Sequence, residues 1–378
     1  MRLLDATLLD FRNLAEVQLS FSAGVNVLIG ANGQGKTNLL EALNYLALGR
    51  SFRGARDEDL IRFGAEGSHG RFRMSDDRNE EHDLEFGFDR SGARRVHIDG
   101  ETIARKIDLV GRLVTVVFDP QTVELVRGGP EGRRRWLDQG ISGVDSSYLS
   151  HLQSYARALR QKTCLLRDLR RRVVTIARVG DDLAAWNVEL AHHAAPIMER
   201  RASWLAECSP IAGVAHANLA TTAGALEAHY RPQVERPAKS PSRDHFEEEL
   251  FRVFDYIGED EIRRGRCLAG PQMDDVEITL NGVGLRTFGS RGETRTAAVA
   301  LKLAQAEMVY RTRNVRPVLF FDDIFSELDK DRSGELQERT STDHQVFIAT
   351  ARSEDVAQWH PEGRRTWIVE QGRITETS

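Results

Sequence analysis

Eight consecutive residues, Gly30-Ala31-Asn32-Gly33-Gln34-Gly35-Lys36-Thr37, fit the pattern G-x-x-x-x-G-K-[ST]. The chemistry served by such a run is specific. Glycines let successive backbone N–H groups curl around phosphate oxygens, and the N-terminus of a following helix adds favourable partial charge. In that geometry Lys36 reaches the β- and γ-phosphates of ATP, and the Thr37 hydroxyl ligates Mg²⁺. A second run, Val318-Leu319-Phe320-Phe321-Asp322-Asp323, is an apolar strand ending in two carboxylates. Downstream of a phosphate loop, Asp322 is placed to hold Mg²⁺ through water and Asp323 to polarise the attacking water. Alone, the same run would read as a solvated strand end with Asp opening a turn. Lys36 and Asp323 are thus the catalytic candidates.

Two further runs bear on that site. Ser290-Arg291-Gly292-Glu293 opens a helix upstream of the acidic strand, and Ser326-Glu327-Leu328-Asp329 follows it. Ser-x-x-Glu is a capping box, which satisfies orphan N–H groups. A helix N-terminus with a Ser hydroxyl and a Gly also suits the γ-phosphate of a nucleotide held by another subunit. Both roles are compatible.

The elements that must position these residues follow from hydrophobic spacing. Strands are predicted at Leu3–Leu9, Ala15–Phe21 and Gly24–Ile29, with a turn at Phe11-Arg12-Asn13 and a helix over Thr37–Leu48. Residues 68–117 read as a β meander, with strands at Gly70–Met74, Asp83–Asp89, Arg94–Ile98 and Leu113–Phe118. Residues 131–262 turn helical. Leu152, Leu159, Leu166 and Val173 recur every seven residues, and a helix over 181–207 is expected to kink or break at Pro196. A proline-rich loop and a helix at about Asp244–Glu261 follow. Strands then return at 276–280, Val315–Phe321 and Gln345–Thr350, with a helix over Arg291–Arg313. The fold class is α/β: a head formed by residues 1–130 and 263–378, interrupted by a helical arm at 131–262.

Composition narrows the function. The chain has 378 residues, enough for two or three structural units. Lys and Arg number 52 against 57 Asp and Glu, so a uniformly basic coat is excluded. A local basic face is not. Arg50, Arg53 and Arg56 form one cluster and Arg133, Arg134 and Arg135 a second. A third, over 151–180, has eight basic residues, including Arg170 and Arg171, against one acid. Each could be a solvated face; as sites, they suit nucleic-acid phosphate. No base-reading motif accompanies them, so binding should follow backbone and shape and be steeply salt-dependent. Three scattered cysteines, no signal-like N-terminus and no apolar run near 20 residues fit a cytoplasmic protein without a membrane partner.

The order of phosphate loop, helical insertion, Ser-x-Gly-Glu, strand-Asp-Asp and Ser-Glu-Leu-Asp resembles ABC-type ATPase heads of the SMC and Rad50 class. Six strings point closer: Phe11-Arg12-Asn13, Gly49-Arg50-Ser51-Phe52-Arg53, Val117-Phe118-Asp119-Pro120, Arg133-Arg134-Arg135-Trp136-Leu137-Asp138, Gly270-Pro271-Gln272-Met273-Asp274-Asp275 and Asp322 to Asp329. Together they are similar to the RecF family of bacterial DNA replication and repair proteins. The resemblance implies that Gly30 to Thr37 is Walker A and that Asp322 and Asp323 are Walker B. Ser290 to Glu293 would be a signature motif acting in trans, through Ser290 and Gly292, across an ATP-sandwiched homodimer. Ser326 to Asp329 would be the D-loop. Arg12 would lie near the nucleotide. Gln121 would be a Q-loop ligand of Mg²⁺, an ordinary loop glutamine being the alternative. The resemblance also implies binding to single-stranded, gapped or junction DNA, a part in SOS induction, and support of RecA loading through RecR and RecO.

Two departures from transporter heads matter. The Walker B pair is Asp-Asp rather than Asp-Glu, and the strand Gln345–Ile348 runs into Ala349-Thr350-Ala351-Arg352 without a His. Both suggest slow, switch-like hydrolysis, and both weigh against the alternative of a transporter ATPase subunit. A nucleotide-locked clamp that does not hydrolyse stays open. A nuclease is disfavoured for lack of space and of a spare acid cluster, Asp274-Asp275 alone being too little.

Overall fold

The computed structural model describes residues 1–220, 224–234, 242–325, 330–341, 344–357 and 363–377. Along the chain come strands β1 (Arg2–Phe11), β2 (Leu14–Ser20) and β3 (Val25–Ile29), then helix α1 (Lys36–Leu48). Strands β4 (Gly67–Ser75), β5 (Glu81–Asp89), β6 (Arg94–Ile98), β7 (Glu101–Thr102) and β8 (Thr115–Phe118) follow. Next are helices α2 (Glu124–Arg127), α3 (Pro130–Ser142), α4 (Ser146–Arg170) and α5 (Ile176–Leu219), strand β9 (Leu226–Arg231) and helix α6 (Arg243–Arg264). Strands β10 (Asp275–Leu280) and β11 (Val283–Gly284) lead to α7 (Leu285–Phe288) and α8 (Arg291–Arg313). The chain ends with β12 (Val318–Asp322), α9 (Lys330–Ser341), β13 (Val346–Thr350), β14 (Arg365–Glu370) and β15 (Arg373–Glu376).

Two compact units result. The first takes Met1–Val123, Val214–Ala223 and Arg295–Ser378; the second takes Glu124–Gly213 and Gly224–Thr294. The second unit thus reaches further than an arm confined to 131–262, and it includes the Ser290 run.

The first unit is built on a sheet of order β15-β14-β3-β13-β12-β8, parallel except for β15. All five residues of β12 and of β13 are buried, as befits parallel strands covered on both faces. Val318 and Phe320 join a core with Leu39, Leu43 and Tyr45 of α1, while Leu319 and Phe321 face Val299 and Leu336. The same core takes Leu8, Phe72 and Phe86 from an antiparallel sheet of order β2-β1-β4-β5-β6-β7. Because β3, β13 and β12 are parallel, the turn after β3 and the acids after β12 emerge at the same carboxyl edge, where open α/β sheets bind ligands.

Several expectations are corrected. The strand at 113–118 leaves the meander and pairs with β12 in the parallel sheet. Its own buried residues, Val116 and Phe118, belong to that sheet's core. Helix α5 runs 44 residues through Pro196 and Pro210 without a break. The carbonyls those prolines deprive of a donor belong to His192 and Ala206, both exposed residues, so solvent can serve them. Val173 lies beyond α4 and is exposed. The fully buried seven-residue stripe of α4 is instead Tyr148, Tyr155, Lys162 and Leu169. Lys162 tolerates that place because Nζ meets the buried Glu261 carboxylate of α6 at 2.6 Å.

The second unit holds another buried polar knot. Arg201 donates to Asp138 at 2.8 Å and to the Pro271 carbonyl at 2.7 Å. Asp274 accepts from the Tyr230 hydroxyl and the Gln233 N–H, and burial raises its pKa.

Candidate nucleotide site

The loop after β3 is shaped by contacts that only glycine permits at two points. A Cβ on Gly30 would lie 2.2 Å from the Val369 carbonyl oxygen of β14. Gly35 has φ +118, and a Cβ there would meet the Asn13 side chain at 2.7 Å. That side chain braces the loop. Asn13 Nδ2 donates to the Gln34 carbonyl at 2.9 Å, and Asn38 Nδ2 donates to Asn13 Oδ1 at 2.8 Å. From the other side, Gly372 N–H donates to the Gln34 carbonyl and Gln371 N–H to Gln34 Oε1. Ala31, Asn32 and Gly33 at the crest are exposed. No side chain caps α1, so its first N–H groups are left for a ligand.

Lys36 opens α1 and is only 6% exposed. Its Nζ donates to the carbonyls of Gly30 at 2.6 Å and Ala31 at 3.0 Å. Burial pulls its pKa down, while Asp323 and Asp322 oppose that pull. Thr37 Oγ1 donates to Asp322 Oδ1 at 2.7 Å, joining the start of α1 to the end of β12. Burial lifts the Asp322 carboxyl to about 6; Asp119 and Asp323 push the same way, and Thr37 and Arg53 resist. Asp323 leaves the strand with φ 54, a left-handed turn that ends β12. A paired hydroxyl and carboxylate are hard oxygen donors, the kind Mg²⁺ prefers. The uphill ionisation of Asp322 is what a nearby cation would relieve.

Arg12 sits at φ 55 in the tight turn between β1 and β2. Its guanidinium grips Glu41 of α1 with two bonds, Nε to Oε2 at 3.0 Å and Nη2 to Oε1 at 3.1 Å. Arg53, expected on DNA, stands beside α1: Nη1 is 3.3 Å from Asn38 Oδ1 and 3.5 Å from Glu41 Oε2.

The remaining site residues fare differently. Gln121 is exposed in the turn Pro120–Val123. The residue of that stretch whose field reaches Asp322 is Asp119, held by the Thr122 hydroxyl at 2.9 Å. Ser290 and Gly292 lie in the second unit, at the head of α8. The reciprocal capping box forms there: Ser290 N–H donates to Glu293 Oε2 at 2.8 Å, and Glu293 N–H to Ser290 Oγ at 3.2 Å. Ser290 is exposed. Ser326 to Asp329 lie outside the described residues.

Among the arginines offered to DNA, Arg133 is corrected. It is 2% exposed, forks onto Asp275 at 2.7 and 3.0 Å, and donates to the Gly128 carbonyl. A guanidinium so enclosed cannot reach a phosphate. Arg134 is half-buried against the Asp274 carbonyl, and Arg135 is exposed beside Glu131. Arg50, Arg56, Arg170 and Arg171 are exposed. Asn13, Ser51 and Asp119 carry weight in the site but stood in the sequence only as members of the strings of the resemblance, with no role given, and Glu41 was not singled out at all. Their signal is contact between residues far apart in the chain, which spacing alone does not reveal.

The chain is similar to known proteins. The family model described as RecF/RecN/SMC N terminal domain matches residues 3–372. A DNA replication and repair protein RecF of Synechococcus sp. (strain JA-2-3B'a(2-13)) is 35% identical over 344 residues, which is 90% of this chain and 88% of its own. One from Exiguobacterium sp. (strain ATCC BAA-1283 / AT1b) is 32% identical over 381 residues, spanning both chains completely. Among solved structures, the recombination mediator protein RecF-ATP in the RecFOR pathway superposes with a TM-score of 0.90 at 28% identity, covering 100% of this chain and 97% of that one. An Smc head from Pyrococcus furiosus matches at a TM-score of 0.55 and 16% identity over 100% of this chain and 96% of its own, a likeness of fold.

Proposed function

The chain belongs to the RecF family of DNA replication and repair proteins, and from that premise we propose an ATP-switched DNA-binding protein that closes into a homodimer. Its α/β fold is that of the family's ATPase head, and ATP is its nucleotide. The observation that carries the reading is the Thr37–Asp322 hydrogen bond, with Lys36 under the field of both acids. In this reading Gly30 to Thr37 bind the phosphates, Lys36 takes their charge, and Thr37 and Asp322 hold Mg²⁺. Asp323 orients water. Ser290 and Gly292 complete the partner's site, where the exposed Ser290 presents its hydroxyl.

Hydrolysis is slow and serves release. An Asp in place of Glu sets its carboxylate back by one methylene, and Ala351-Arg352 follow β13 where a transporter head has His. Nucleic acid is held by backbone contacts from exposed arginines such as Arg171, at gapped or junction DNA, in concert with RecR and RecO upstream of RecA. No helix among the described residues is long and apolar enough to cross a membrane.

Titrating gapped and intact duplexes at several salt concentrations, with ATP and with ADP, tests this. The reading expects tighter binding with ATP and a steep salt slope. Equal affinity with both nucleotides, or none for either duplex, would contradict it.

A further inference from the structure

Glu41 lies on α1, one turn beyond Thr37, and its side chain is fully buried. A buried carboxylate must be paired, and this one is paired three times over. Arg12 forks onto both oxygens. The Ser51 hydroxyl donates to Oε1. Arg53 Nη1 approaches Oε2, the oxygen that Arg12 Nε already holds, but only to 3.5 Å. Ser51 also accepts the Arg53 N–H at 3.0 Å, so the same carboxylate fixes the backbone that carries Arg53.

The two arginines are not alike in setting. The Arg12 side chain is 22% exposed and its Nη1 is occupied by the Asp59 carbonyl; the Arg53 side chain is 43% exposed. One buried carboxylate therefore serves two arginines, which meet at the same oxygen, Oε2.

We infer that Glu41 is a positioning residue that links Arg12 to Arg53, so that a phosphate engaging one changes the hold on the other. This rests on the reading of the site as a nucleotide site. The chemistry recognised is phosphate: the polyphosphate of the nucleotide, and whatever phosphate Arg53 meets. An anion that draws Arg12 off Oε2 leaves that oxygen to tighten on Arg53. An anion that draws Arg53 outward returns Oε2 to Arg12. The linkage is reciprocal, as any coupling through a shared group must be.

The test is a mutant cycle on the full chain. Affinities for ATP, and for a gapped oligonucleotide duplex with ATP present, are measured for wild type, Arg12→Ala, Arg53→Ala and the double variant. The double variant is expected to depart from the product of the single effects by on the order of fivefold. The same cycle in a Glu41→Gln background, which keeps shape but removes charge, is expected to obey the product rule within about twofold. Ser51→Ala removes one support of Glu41 and is expected to reduce the departure. A merely structural Glu41 would lower stability without changing the cycle. Product-rule behaviour in wild type, or a departure that survives in Glu41→Gln, would overturn the inference. Should Glu41→Gln fail to fold, an undiminished departure in Ser51→Ala overturns it instead. Lys36→Met separates the two levels. If it keeps full ATP affinity, the nucleotide site itself is wrong; if it loses that affinity while the arginines act independently, only the linkage falls.

Discussion

Replacing Asp322 by Asn should make the unliganded protein more stable while disabling its nucleotide chemistry. The carboxyl is 6% exposed and titrates at about 6 rather than 3.8. At about 1.4 kcal/mol per unit, keeping it ionised in the fold costs roughly 3 kcal/mol. Asn keeps an oxygen for the Thr37 hydroxyl and removes the repulsion from Asp119 and Asp323. Its own amide is also desolvated, so the expected gain is about 1–3 kcal/mol. The sign in pH follows from the raised folded pKa. Between about 4 and 6 the native carboxyl is protonated while the unfolded one is ionised, so wild type loses stability as pH rises through that window. Urea denaturation of both proteins without nucleotide, at several pH values from 4 to 8, reads the gap directly. It should be near zero at pH 4, grow to pH 6 and then level off. A gap that does not vary with pH, or a variant less stable than wild type at pH 7.5, would refute the reasoning.

The basic residues allow two contrasts. Arg133→Ala should cost about 2–3 kcal/mol of stability, because Asp275 and the Gly128 carbonyl lose a charged donor, whereas exposed Arg171→Ala should stay within about 0.5 kcal/mol. Denaturation reads the first effect, and DNA affinity should respond mainly to Arg171. Lys162→Met should cost about 3–5 kcal/mol by stranding the buried Glu261 carboxylate, and Lys162→Met with Glu261→Leu should recover most of it in the same assay.

Much of the head was legible because its signals are local. Gly30 to Thr37 and Val318 to Asp323 carry their chemistry in consecutive residues, and strong periodicity marks α1, α8 and β12. What escaped was set by distant partners. A strand at 113–118 reads the same in a meander or at the edge of a parallel sheet; only its pairing with Val318–Phe321 decides. Lys162 counted as surface charge because no local pattern reveals Glu261, and Arg133 because Asp275 lies far along the chain. Pro196 was expected to kink or interrupt a helix that continues past it, the carbonyl it leaves without a donor belonging to the exposed His192. The Glu41 hub was invisible for the same reason, since Arg12, Ser51 and Arg53 converge on it only in three dimensions.

In the proposed switch, ATP closes two copies of this chain through Lys36 in one and Ser290 in the other. Light scattering behind size exclusion, with and without Mg²⁺ and ATP, tests it on wild type, Lys36→Met and Ser290→Arg. Wild type should double its mass from 42.5 kDa only with ATP, and both variants should stay monomeric. A wild type that stays monomeric with ATP, or dimers that persist in Ser290→Arg, would contradict it.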